Sequence, residues 1–240
     1  MNPRQNDQGF TSDEEPGDEQ QSSLPLFPLS APLFPGMALP LHIFELRYRQ
    51  LLRDQAMSDP IFGVVLTRTG REVGDQPEIF EVGTAASLLG MREHDDGRAD
   101  IAVRGGRRFR VIAADRSGPY LVASVDWLDD PEDDASDESL VALADRTRTA
   151  MLRLVAAAAS AGNVPVPELS LPENPTDLGY LLSRTLWLNT WEQQELLEAL
   201  TTSARLERLR SIIRREHRLL TQAGAAGTPI EHPGSRFLPN

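Results

Sequence analysis

The spacing of apolar residues changes once along this chain, and that change predicts two kinds of structure. From Leu24 to about Leu128 apolar and polar positions mainly alternate in short runs, the period of strands. Ile61 to Leu66 is a nearly continuous apolar run, as expected of a strand buried on both faces. Phe80, Val82, Thr84, Ala86 and Leu88 alternate with Glu81, Gly83, Ala85 and Ser87; Phe109, Val111 and Ala113 form a second such face, and Leu121, Ala123, Val125 and Trp127 a third. Asp96-Gly97 between Met91 and Ile101 predicts a hairpin turn. Gly105-Gly106 between two strand-like runs predicts a turn or a bulge. Short strands with frequent turns point to a small barrel or sandwich. One helix is expected within this half, over Leu41 to Gln55, where Ile43, Phe44, Tyr48, Leu51 and Leu52 recur at helical spacing.

From about Ser136 the period is helical throughout. Leu140, Leu143, Thr147, Met151, Leu154 and Ala158 follow one face, ended by Gly162-Asn163 and Pro165. Asn174-Pro175 reads as an N-cap with Pro at the first helical position. Thr190 to Gln193 matches a capping box, and Ser203 opens a last helix with Leu206, Leu209, Ile213 and Leu220 along its seam. The organisation expected is therefore α+β: an acidic disordered tail over 1–23, a β domain with one inserted helix over 24–128, an acidic linker over 129–135, a helical bundle over 136–222 and a flexible tail over 223–240.

Charge and composition narrow the function classes. The formal net charge is -12, with acids concentrated in the tail and the linker, which disfavours phosphate-backbone binding. Cysteine is absent, which removes disulfides and thiolate chemistry, and no apolar stretch is long enough to span a bilayer. A soluble cytoplasmic protein is the expectation. All 24 basic residues are arginine. Without lysine there is no phosphate-binding loop of the G-x-x-x-x-G-K-[ST] kind, no Ser-Lys dyad and no Schiff base.

The candidate sites are few. His42 and Glu45 are three apart on the expected helix, but a zinc site needs a third protein ligand with no evident place in the sequence. His42 therefore reads as a structural hydrogen-bonder, and no metal or cofactor is expected. Glu45 is expected to form an ion pair with Arg108 or Arg110. Arg104, Arg107, Arg108 and Arg110 form the compact basic cluster of the β half, either a solvated strand face or an RNA surface; Phe109 alternates away from them, which leaves no stacking platform. Arg205, Arg208, Arg210, Arg214, Arg215 and Arg218 read as a solvated helix face. There is no G-x-S-x-G, and Ser87, Ser117, Ser183 and Ser211 have no His beside them in sequence, so no catalytic residue is assigned and no enzyme is expected. Leu33, Phe34, Met37 and Leu39 lie in a Pro- and Gly-rich loop, either sealing the barrel end or forming an apolar surface for unfolded polypeptide.

Leu24-Pro25-Leu26-Phe27-Pro28-Leu29, Leu33-Phe34-Pro35-Gly36-Met37 and the stretch from Leu39 to Tyr48 resemble the N-terminal substrate-binding domain of the Lon protease family. Phe62-Gly63-Val64-Val65, Glu81-Val82-Gly83-Thr84, Gly106-Arg107-Arg108-Phe109-Arg110, Pro119-Tyr120-Leu121-Val122-Ala123 and Leu206-Glu207-Arg208-Leu209 continue it in order, over roughly residues 24 to 220. The resemblance implies a PUA-like β-barrel followed by a helical bundle. It also implies contact with substrate polypeptide, with ATP hydrolysis and peptide cleavage belonging to separate domains. The chain thus looks like a stand-alone bacterial Lon-substrate-binding-domain protein. The function expected is a non-enzymatic polypeptide-binding module, a protein quality-control adaptor or holdase, with unfolded polypeptide as partner. The alternatives are an RNA-associated PUA-like module and a regulator that docks on an ATP-dependent protease.

Overall fold

The computed structural model describes residues 22–55, 61–68, 77–129 and 137–225. The acidic tail to residue 21, the linker over 130–136 and the last stretch from 226 lie outside the described residues.

Six strands make the first half: β1 (Ser22–Leu29), β2 (Ala38–Ile43), β3 (Ile61–Thr67), β4 (Ile79–Glu93), β5 (Ala99–Asp115) and β6 (Val122–Leu128). Their order is β2-β5-β4-β3-β1-β6, and β5 also pairs with β6. That last pairing closes β5, β4, β3, β1 and β6 into a barrel. β1 and β3 run parallel through Leu26↔Gly63 to Leu29↔Leu66, and the other pairs are antiparallel. The long strand β5 serves two neighbours on one side. Its first part, Ala99 to Arg104, pairs with β2, and its second part, Arg108 to Asp115, pairs with β6.

The switch between neighbours occurs at Gly105-Gly106, opposite a register shift between Thr84 and Ala86 of β4. The expected turn-or-bulge is a bulge within a continuous strand. Gly105 is required there by close approach: a Cβ would lie 2.2 Å from the carbonyl oxygen of Phe34.

The inserted helix α1 (Leu46–Gln55) is shorter than expected. Ala38 to Ile43 is strand, so the Leu41 start is corrected to Leu46. Leu39, Leu41 and Ile43 sit opposite Val103, Ile101 and Ala99, and this core-facing row outweighed the local helical spacing. α1 then lays Tyr48 and Leu51 on Phe27, Phe62 and Ile101. A separate apolar cluster fills the barrel with Leu26, Val65, Phe109, Ala123 and Val125.

The second half comprises α2 (Asp137–Ala161), α3 (Pro175–Thr185), α4 (Thr190–Glu198) and α5 (Thr202–Ala225). α2 ends at Asn163, which holds the left-handed conformation with φ 49°. Asn174 caps α3 by accepting from the Thr176 and Asp177 N–H groups. The capping residue of α4 is Asn189, one position before the expected Thr190; it accepts from the Glu192 N–H while its amide donates to the Glu192 carboxylate. Thr201 accepts from the Ala204 N–H at the start of α5. Leu143, Met151 and Leu154 of α2 meet Leu206, Leu209 and Ile213 of α5, with Leu178, Leu182, Leu196 and Leu197 closing the bundle core. Among the described residues no helix is long and apolar enough to cross a membrane.

Candidate functional site

The loop singled out in the sequence is a joint between the two halves. Leu33 is 0% exposed and belongs to the core beneath α1; Phe34 is 1% exposed and belongs to the bundle core with Val82. Two adjacent side chains thus enter two different cores. The backbone fastens this insertion: Gly36 N–H donates to Gly105 O, Gly105 N–H donates to Met37 O, and Met37 N–H donates to Phe34 O. Met37 and Leu39 are half-buried against the same cores. Leu33 and Phe34 are therefore corrected from recognition residues to packing residues, because apolar chains flanked by two unfilled cores gain more from burial than from display.

The expected ion pair is also redistributed. Glu45 binds Arg47 at 2.9 Å, its neighbour two positions on. Arg108 is buried and donates through Nη1 to Leu197 O at 2.7 Å and Ala199 O at 2.8 Å. Arg205, also buried, donates to Leu196 O and Ala199 O and lies 4.1 Å from the centre of the Tyr180 ring. Both guanidinium groups thus satisfy carbonyls at the C-terminal end of α4, where the helix dipole is negative and the last C=O groups lack helical partners. Gln194 adds a bond from α4 to Val82 O of the barrel. Arg110 is exposed on β5. Sequence reasoning sought a carboxylate for Arg108 because a helix end buried against a strand leaves no mark in local spacing.

This arrangement dissolves the basic cluster of β5. Arg107 forms a two-pronged pair with Asp129, Arg108 points into the joint, and Arg104 and Arg110 remain on the surface. The arginines of α5 separate as well. Arg205 is core, Arg208 binds Glu195, and Arg215 binds Glu192 and Glu216. The Arg215 guanidinium holds the Glu192 carboxyl below its usual range despite burial. Arg210, Arg214 and Arg218 line a groove between α2 and α5 with Arg146, Arg153 and Glu207. The Ser87 and Ser183 hydroxyls donate to main-chain carbonyls, not to an imidazole.

Large apolar side chains are displayed elsewhere. Trp187, between α3 and α4, is 76% exposed, and Trp191, in the first turn of α4, is 59% exposed. Trp191 stands edge-on to Phe80 of β4, ring centres 5.1 Å apart, and the Arg68 guanidinium lies 4.5 Å from the centre of the Phe80 ring. The Trp191–Phe80 contact, an aromatic rim, crosses the junction of barrel and bundle. It was missed in the sequence, although Trp191 lies among polar residues and off the leucine stripe of α4.

A family model of the ATP-dependent protease La (LON) substrate-binding domain matches residues 23–215. The chain belongs to that family. It is 30% identical over 176 residues to Lon protease 2 of Syntrophobacter fumaroxidans, a match covering 73% of this chain and 22% of the relative. It is 25% identical over 212 residues to the Lon protease of Escherichia coli, covering 85% of this chain and 26% of the relative. The chain thus spans about a quarter or less of the length of these curated relatives. The crystal structure of a Lon N-terminal domain protein from Xanthomonas campestris superposes with TM-score 0.56 at 27% identity, covering 79% of this chain and 98% of that one. The N-terminal domain of the Mycobacterium avium complex Lon protease shares the fold, with TM-score 0.58 at 21% identity over 80% and 98% of the two chains. Within the LON substrate-binding domain described here, Leu33 to Met37 and Gly106 to Arg110, two of the stretches that carry the resemblance, build the barrel–bundle joint.

Proposed function

We propose that this LON substrate-binding domain is a non-enzymatic module that binds unfolded polypeptide through the exposed side chains of Trp187 and Trp191. The observation that carries the reading is their exposure, Trp191 at the junction beside Phe80 and Trp187 in the link between α3 and α4. Unfolded chains present apolar side chains without fixed sequence, and tryptophan offers a large, stiff contact surface for them. Met37 and Leu39, half-exposed beside the joint, are further apolar side chains within reach of solvent. The relatives are proteases of which this domain is a fraction, so the domain supports two roles, an adaptor or holdase that acts alone and a regulator docking on an ATP-dependent protease. Co-purification from the native host separates them. The surface proposed for RNA is reduced, since Arg108 is buried and Arg107 is paired with Asp129, which leaves Arg104 and Arg110.

The test is fluorescence anisotropy with a labelled, permanently unfolded polypeptide, using the full chain and its Trp187→Ala/Trp191→Ala variant. Binding by the parent should change little with ionic strength, unlike phosphate-backbone binding. The double variant should weaken it by roughly tenfold or more, the loss of one or two anchor residues. Absence of binding by the parent, or equal binding by the variant, refutes the assignment.

A further inference from the structure

The tip of the β4–β5 hairpin holds a cluster outside the joint and outside the aromatic rim. β2 pairs with β5 so that His42 lies directly opposite Asp100, and directly opposed residues project from the same sheet face. His94 follows β4 and enters the turn, where its N–H donates to Arg98 O and its carbonyl accepts from Gly97 N–H. Gly97 has φ 78°, a conformation that closes the turn and brings His94 back over Asp100. His42 Nδ1 lies 2.6 Å from Asp100 Oδ1, and His94 Nε2 lies 2.7 Å from Asp100 Oδ2. One atom from each of the three residues falls within 4.8 Å of the others.

Two imidazole nitrogens therefore converge on one carboxylate from opposite sides. An ionised carboxylate only accepts, so both imidazoles donate to it, and they hold Asp100 below the usual carboxylate range, His42 more than His94. Each of those protons occupies a position that a metal ion can take. Phe44 stacks beside His42 with ring centres 6.2 Å apart, which restricts that imidazole. Among neighbouring charges, Arg98 is neutralised by Asp96, and Arg92 sits in register beside Asp100.

We propose that His42 Nδ1, His94 Nε2 and a carboxylate oxygen of Asp100 form a binding site for a divalent transition-metal ion of the zinc class. Two imidazoles and one carboxylate are a donor set that zinc and cobalt accept, with solvent in the remaining position. Metal–nitrogen bonds of roughly 2.0–2.1 Å place tetrahedral ligand atoms about 3.3 Å apart, so the nitrogens draw together and Asp100 turns aside by about an ångström. The bound ion joins β2 to the β4–β5 hairpin, fastening a strand whose pairing among the described residues is with β5. The sequence hid the site because His42 was read on a helix. The usable signal was the Asp96-Gly97 turn, which sets His94 and Asp100 at nearly equal distances on either side.

The experiment is calorimetric titration of the full chain with Zn²⁺, together with visible absorption of its Co²⁺ complex. One ion per chain is expected, with Co²⁺ bands of imidazole ligation. His42→Ala, His94→Ala and Asp100→Ala should each weaken binding by roughly tenfold or more, at least the effect of removing a hydrogen-bonded partner of a metal ligand. His217→Ala should bind like the parent. Affinity should fall in acid, where protons compete with the metal for its ligands. The three side chains are exposed or half-exposed, so these variants retain the fold, which far-UV circular dichroism verifies. No saturable binding, or binding unchanged in the triple variant, overturns the site.

Discussion

Phe34→Ala separates a structural joint from a recognition loop. The ring is 1% exposed and packs with the bundle core from a loop that belongs to the barrel. A phenylalanine that buries on the order of 150–250 Å² at about 25 cal/mol per Å² gains roughly 4–6 kcal/mol of transfer free energy. Alanine keeps part of that gain, and the space left behind adds to the loss, so the expected cost is about 3–5 kcal/mol. In a chain of this size each kcal/mol moves Tm by about 2–4 °C, which gives a fall of roughly 6–20 °C. Thermal unfolding followed by far-UV circular dichroism and by tryptophan fluorescence measures it. Trp127 reports on the barrel, and Trp187 and Trp191 report on the bundle side. Because Phe34 holds the halves together, both signals should move to lower temperature. A Tm within about 2 °C of the parent, with weakened polypeptide binding, would show that Phe34 serves recognition and that the joint has been misread.

Gly105→Ala should destabilise the chain by about 1–3 kcal/mol or more, since the added methyl meets backbone, the Phe34 carbonyl, which no rotamer change can relieve; urea unfolding measures it. Glu192 is held below its usual range by Arg215, so it contributes stability above about pH 4.3 that is lost as pH falls through its lower folded value. Glu192→Gln should therefore flatten the acid limb of a stability–pH curve, and an unchanged limb would remove the pair from acid unfolding.

The division into a β half and a helical half was legible because the apolar period changes near Ser136, and period reports which face a segment buries. The hairpin at Asp96-Gly97, the stop at Gly162-Asn163 and the cap at Asn174 were legible for the same local reason: each depends on residues within a few positions. Lysine-dependent chemistry was excluded by composition alone. The tertiary structure decided everything that depends on a partner distant in sequence. It turned Ala38 to Ile43 into a strand, because β5 offered a matching row. It buried Arg108 and Arg205 on the last carbonyls of α4, because a helix end in a closed junction needs donors. It sent Leu33 and Phe34 inward and left Trp187 and Trp191 outside, and it brought His42 and His94 to one carboxylate. A sequence records each side chain's appetite for water. Which side chains satisfy it is settled by where the other segments come to rest.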